Sequence, residues 1–186
     1  MGRRPRITEI AKRPPDARLT PRMAASAFDA RPPRFAVDVM LGRLARWLRV
    51  LGHDTAYGPH LRRRELAACA RREGRLLLTR DTRLVADPAL PPHLFITSDH
   101  FREQLRQVAA AAPLRDATPL SRCLDCNRVL EPVTRESVQH RVPPYVFETQ
   151  VRFLRCTHCD HLYWPATHGV RMRHELAVLG LVSAAA

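Results

Sequence analysis

No run of this 186-residue chain approaches the ~18 consecutive apolar residues of a membrane-spanning helix, so no such span is expected. The N-terminus is basic but carries no apolar stretch of the secretory type; a signal peptide is not expected, and a cytoplasmic setting is. Cysteine is scarce, at five residues, and four of these stand in metal-type pairs, which argues against a secreted disulfide framework. There is no internal repeat beyond those pairs. Lysine is almost missing: Lys12 is the only one among 31 basic residues. Acidic residues number only 18, which leaves a net charge of +13. That imbalance points to a polyanionic partner, with nucleic acid the commonest. The plain alternative is an Arg- and Ala-rich coding bias plus a basic tail.

What is present is sharper. Cys123-Leu-Asp-Cys126 and Cys156-Thr-His-Cys159 are two turns of the kind that grip one metal ion with paired thiolates. Together they predict a closed tetrahedral Zn2+ site with Cys123, Cys126, Cys156 and Cys159 as ligands. A closed site leaves no open position, so its role is expected to be structural. His158 and His161 lie in or beside the second turn and are expected to be exposed or to support the ligands. The lone Cys69 is expected to be a small buried residue.

The chain divides around these turns. Residues 1–33 carry six Pro and eight basic residues and read as a disordered basic arm. Arg34-Phe-Ala-Val-Asp38 reads as a buried strand, followed by a helix over 41–51 with Leu41, Leu44, Leu48 and Leu51 at helical spacing. Gly52 is the expected helix stop. Asp54–Tyr57 reads as a second strand, 61–73 as a helix, and Arg75–Thr79 and His93–Thr97 as further apolar strands. A helix follows to Ala111, with Ser98 or Asp99 as its N-cap. Strands that alternate with helices and read as unbroken apolar runs predict a parallel sheet flanked by helices. This α/β domain is expected over 34–112, with a linker at 113–120, a zinc ribbon over 121–168, and a final helix and tail over 169–186.

Ligands of an open parallel sheet bind beyond the carboxyl ends of its strands. Asp38, Asp81 and Asp99 all stand at such ends, and Glu65, near the start of the second helix, can reach the same edge. Gathered carboxylates repel one another and call for a cation, and oxygen ligands suit Mg2+ or Mn2+. Such a cation can hold a phosphodiester and activate water. A basic protein with this cluster therefore reads as a nuclease. The alternative for each acid is a turn former or helix cap, which fits Asp99 best. Asp54 reads as a turn residue. Arg43, Arg46 and Arg49 fall three apart on the outer face of the first helix, which fits RNA backbone binding or a plain solvated face.

The run Phe-Ala-Val-Asp38-Val-Met-Leu-Gly-Arg-Leu-Ala-Arg46-Trp-Leu-Arg49-Val-Leu-Gly-His-Asp54-Thr resembles the opening of the Mut-seven C-terminal RNase domain family. Leu-Leu-Leu-Thr-Arg-Asp81 resembles its second signature. The two Cys turns, followed by Tyr163-Trp164 and His168, resemble its zinc-ribbon part. The resemblance spans residues 34–175. It implies a PIN-like α/β fold, a C-terminal zinc ribbon and metal-dependent RNA cleavage, with Asp38 and Asp81 as metal-binding acids and Arg46 and Arg49 near the site. One departure stands out. Such domains often place an acid at the start of the second helix, where this chain has Arg62-Arg63-Arg64 before Glu65.

Three functions follow for test. The first is a Mg2+- or Mn2+-dependent ribonuclease using Asp38, Asp81, Asp99 and Glu65, with the zinc ribbon aiding RNA binding. The second is a noncatalytic RNA-binding or ribosome-associated adaptor with a degraded site, favoured by the arginines at 62–64. A zinc-ribbon DNA-binding regulator is the third, and it leaves the strand-end acids unexplained.

Overall fold

The computed structural model describes residues 32–58, 61–114, 117–165 and 167–182, without the side chains of residues 167 and 168. The expected basic arm, up to residue 31, and the side chain of His168 lie outside the described residues.

Four parallel strands form the first sheet: β1 (Phe35–Val37), β2 (Thr55–Ala56), β3 (Leu76–Thr79) and β4 (His93–Phe95). Their order is β2-β1-β3-β4, with Val37 opposite Leu78 and Thr79 opposite Phe95. The apolar runs are unbroken because both faces are covered. Phe35, Val37, Leu76 and Leu78 point to one side, where they meet α1 (Gly42–Val50) and α4 (Phe101–Ala111) through Leu44, Leu48, Leu105 and Val108. Ala36 and Leu77 point to the other side and meet α2 (Arg63–Glu73) through Leu66 and Ala70, and α3 (Thr82–Val85) through Leu84. Truncating a wholly buried residue such as Leu48 to Ala would cost ~2–5 kcal/mol by lost transfer energy and cavity.

Local signals set the ends. Gly52 stops α1 with a φ of 94°, and a Cβ there would collide with the Thr118 carbonyl. Both requirements demand glycine. The N-cap of α4 is His100, not Ser98 or Asp99, because the helix starts at Phe101; Ser98 Oγ instead accepts from the His100 N–H at 3.1 Å. Two short helices were not legible in the periodicity: α3 and α5 (Pro144–Thr149). At four and six residues they span too few turns to show a pattern; Asp81 caps the first and a proline opens the second.

A second sheet is antiparallel: β5 (Glu131–Val133), β6 (Phe153–Arg155) and β7 (Leu162–Tyr163), in that order. Val138, Val142 and Phe153 form its small core. The chain then returns to the first sheet. Helix α6 (Thr167–Val178) buries Met172 and Leu176 in the same cluster as α1 and α4. His174 on this helix is exposed.

Candidate active-site edge and metal centre

The strand order reverses between β1 and β3, so their following loops leave in opposite directions and open a crevice at the carboxyl ends. Asp38 and Asp81 stand there. Asp38 follows β1 directly and is 7% exposed. Its Oδ1 accepts from the Met40 N–H at 3.2 Å and its Oδ2 from the Thr79 hydroxyl at 2.6 Å. That hydroxyl in turn accepts from the Asp81 N–H at 3.0 Å. Thr79, wholly buried at the end of β3, therefore links the two acid positions.

Asp81 is differently engaged. Its Oδ1 caps α3 by accepting from the Arg83 N–H at 2.9 Å, and its Oδ2 is paired with Arg63 Nε at the start of α2. Partial burial opposes the charge on Asp81, but the Arg83 N–H and the Arg63 guanidinium outweigh it, so the carboxyl lies below its ordinary range. Asp99 lies farther out, with 79% of its side chain exposed, and is paired with Arg80. Glu65 is exposed and spends Oε2 on the Arg62 N–H at 2.9 Å, as the reciprocal half of a helix cap. Among the described residues, the four cysteines form the only group of three or more His, Cys, Asp or Glu close enough to share a metal ion. Asp38 and Asp81 are thus neighbours, whereas Asp99 and Glu65 do not join them in one cluster.

The arginines also separate. Arg43 is exposed and lies 4.0 Å above the Phe101 ring, whose plane stacks on Trp47. It borders an open groove of about 680 Å³ that also takes in Arg80, His100 and Arg102 at the strand-end edge. Arg46 is exposed, with Asp125 at 4.0 Å. Arg49 departs from the expected outer row: it is 4% exposed, and burial pulls its pKa down. Its Nη1 donates to the Leu124 and Asp125 carbonyls, both at 2.8 Å, and its Nη2 to Thr55 O at 3.0 Å. Residue 49 faces the junction between α1, β2 and the first cysteine turn, which spacing along one helix cannot reveal.

The two cysteine turns repeat one geometry. Asn127 N donates to Cys123 O at 3.0 Å and Asp160 N to Cys156 O at 2.9 Å, with Asn127 and Asp160 at φ of 66° and 59°. Asn and Asp tolerate that left-handed region better than other side-chain-bearing residues. Cys123 Sγ lies 3.3 Å from Cys126 Sγ and 3.6 Å from Cys159 Sγ, and Cys126 Sγ lies 3.4 Å from Cys156 Sγ. Burial disfavours the Cys123 thiolate, yet the Cys126 N–H and the Tyr163 hydroxyl, 3.2 Å from the sulfur, hold its pKa down to about 6. An all-sulfur set of four suits one zinc ion and leaves no open position. His158 and His161 are exposed and outside the set. Phe153, Tyr163 and Trp164 pack within the small cores of this unit.

Asp54 proved to be more than a turn residue. Its Oδ1 accepts from Arg75 Nη1 at 2.8 Å and from Asn127 Nδ2 at 2.7 Å, while Thr55 N donates to Asn127 Oδ1 at 2.9 Å. Arg122 Nε adds a bond to Gly52 O at 2.9 Å. The first cysteine turn is therefore bolted to β2. Two partners were missed in the sequence: Arg63 for Asp81 and Arg80 for Asp99. For Arg63 a signal existed, since three arginines at the positive end of a helix dipole are unfavourable unless an anion is near.

Fold and site together define a parallel α/β domain with strand-end acids at the switch point and a four-cysteine unit docked on its edge strand. The chain belongs to the Mut7-C RNAse domain family, whose profile matches residues 33–176. Comparison with curated proteins and with solved structures returned no match. Among the described residues no helix is long and apolar enough to cross a membrane.

Proposed function

We propose that this protein is a divalent-metal-dependent ribonuclease whose acid pair is Asp38 and Asp81. The observation that carries the reading is the Thr79 hydroxyl, which ties the buried Asp38 carboxylate to the Asp81 backbone at the switch point. The donor set fits Mg2+ or Mn2+: two carboxylates and a hydroxyl are hard oxygen ligands, and Mg2+ is commonly held by one or two carboxylates plus water and phosphate. A guanidinium already seated on Asp81 marks a place where positive charge is favourable. When bound, the cation supplies an activated water and neutralises charge on the phosphate. Thr79 and the Met40 N–H fix the orientation of Asp38. Arg43 and Arg80 line the strand-end groove and, with the exposed Arg46, hold the RNA backbone, so affinity falls steeply with salt. Arg49 is a brace rather than an RNA contact. The four cysteines hold Zn2+ and keep the docked unit folded, and a reduced thiol set of this kind fits a cytoplasmic setting.

The test is cleavage of single-stranded and structured RNA by the full chain with Mn2+ or with EDTA. Cleavage in Mn2+ that disappears in EDTA and in both Asp38→Asn and Asp81→Asn supports the assignment. Cleavage that survives both substitutions removes it. A specific observation favours the adaptor alternative: Arg63 and Arg80 neutralise Asp81 and Asp99 internally, and no third acid joins the pair among the described residues. RNA binding without cleavage in any divalent metal would select that alternative.

A further inference from the structure

The start of α2 carries Arg62, Arg63 and Arg64 in a row, at the end of the helix where its dipole opposes positive charge. One of the three has a compensating anion in the crevice: Arg63 Nε pairs with Asp81 Oδ2. With Oδ1 already taken by the Arg83 N–H, both oxygens of Asp81 have partners. Asp38 differs, since its oxygens meet only a hydroxyl and a backbone N–H, and among the described residues no cation pairs with it. The Arg63 side chain is 56% exposed. The Asp81 side chain is only 13% exposed, so the pair is open to solvent at its guanidinium end, and it is from that end that it can exchange. Guanidinium groups also bind phosphate by a two-pronged geometry that a single carboxylate oxygen does not use.

We propose that Arg63 is a built-in counter-ion that holds Asp81 until an RNA phosphate draws the guanidinium away, so that the divalent cation binds the acid pair together with RNA rather than before it. This rests on the metal-dependent reading above. Arg63 and the cation are competitors for Asp81, while RNA and the cation cooperate because RNA removes the competitor. By linkage, whatever factor RNA adds to cation affinity, the cation adds to RNA affinity.

The experiment is a Mn2+ titration of the zinc-loaded full chain, read as loss of the free-ion electron paramagnetic resonance signal. It is run with and without a hydrolysis-resistant phosphorothioate oligoribonucleotide. Asp81→Asn with the same RNA gives the background of ions held by RNA alone. The wild-type chain is expected to bind Mn2+ weakly by itself and ~5-fold or more tightly with RNA, the size expected for displacing an ion pair exposed at one end. Arg63→Gln is expected to bind tightly without RNA and to gain little from it, with an unchanged unfolding temperature. If wild type and Arg63→Gln bind Mn2+ equally well without RNA, in an Asp81-dependent manner, the competition is refuted while the metal-dependent reading stands. If no variant shows Asp81-dependent binding in either condition, the metal-dependent reading falls, and the proposal with it.

Discussion

Arg49→Ala is the most informative single substitution, because two roles predict opposite results. An arginine on an RNA-binding face would lower RNA affinity and leave stability nearly unchanged. The structure instead places the guanidinium inside the junction, donating to carbonyls of Leu124, Asp125 and Thr55. Leaving a buried carbonyl without a partner costs ~1–3 kcal/mol. Of the three carbonyls only that of Thr55 is buried and the other two are part-buried, so that rule caps the gross loss at ~9 kcal/mol. Two effects reduce it. The wild-type guanidinium bears a desolvation cost, seen in its lowered pKa, and water can enter beside the partly exposed cysteine turn. A net destabilisation of ~2–4 kcal/mol is expected, which for a chain of this size lowers the melting temperature by ~4–16 °C. Zinc release to a chromogenic chelator should also accelerate, since Leu124 and Asp125 lie between Cys123 and Cys126. Arg49→Lys should recover little, because an ammonium cannot fork between these acceptors. A melting temperature within ~1 °C of wild type, with unchanged zinc release and weakened RNA binding, would refute the brace and restore the contact role.

Thr79→Val should leave the β3 packing intact while freeing the Asp38 carboxylate and the Asp81 N–H; a ~10–100-fold loss of Mn2+-dependent cleavage is expected, with a destabilisation of ~1–3 kcal/mol. Asp54 supplies a pH signature: burial opposes its charge, but Arg75 and Asn127 hold its pKa down to about 2. Its unfolded value is higher, so the unfolded state takes up more protons as pH falls from ~4 to ~2, and stability is lost across that window. The loss should be ~1–2 kcal/mol after solvent screening, measured by acid titration of urea unfolding, and Asp54→Asn should flatten that limb. Gly52→Ala should destabilise by ~2 kcal/mol or more, from its φ of 94° and the Thr118 carbonyl, read as a lower urea midpoint. Zinc removal by chelation should unfold the cysteine unit and lower the melting temperature of the α/β domain with it, because the two are bolted through Asp54, Asn127 and Arg122; separate, unshifted transitions would contradict that coupling.

Much of this architecture was legible before any coordinates. The apolar runs at Phe35, Leu76 and Leu94, the Leu41–Leu51 spacing and the Gly52 stop are local signals, and each marks an element that forms. The paired cysteines converge as expected, because two residues of spacing already bend each turn around one ligand position. Asp38 and Asp81 were readable as strand-end acids, and the switch point makes them neighbours. Asp54 was read too modestly, and Arg49 was read onto the wrong surface. The error at Arg49 has a simple origin: a helical face is exposed or buried only by what packs on it, and here the covering element comes 75 residues later in the chain.

By itself the sequence determined the parts: which segments are strands and helices, where they stop, which four sulfurs can share a metal, and which acids stand at strand ends. Those properties follow from torsional preference, apolar periodicity and covalent spacing, which act over a few residues. Only the tertiary structure decided the pairings. It set the β2-β1-β3-β4 order, sent α6 back to the first core, turned Arg49 inward, and gave Asp81 a guanidinium where a further acid was expected. Such outcomes depend on which distant surfaces bury one another and on charge that must be balanced across the crevice, and no local pattern encodes either.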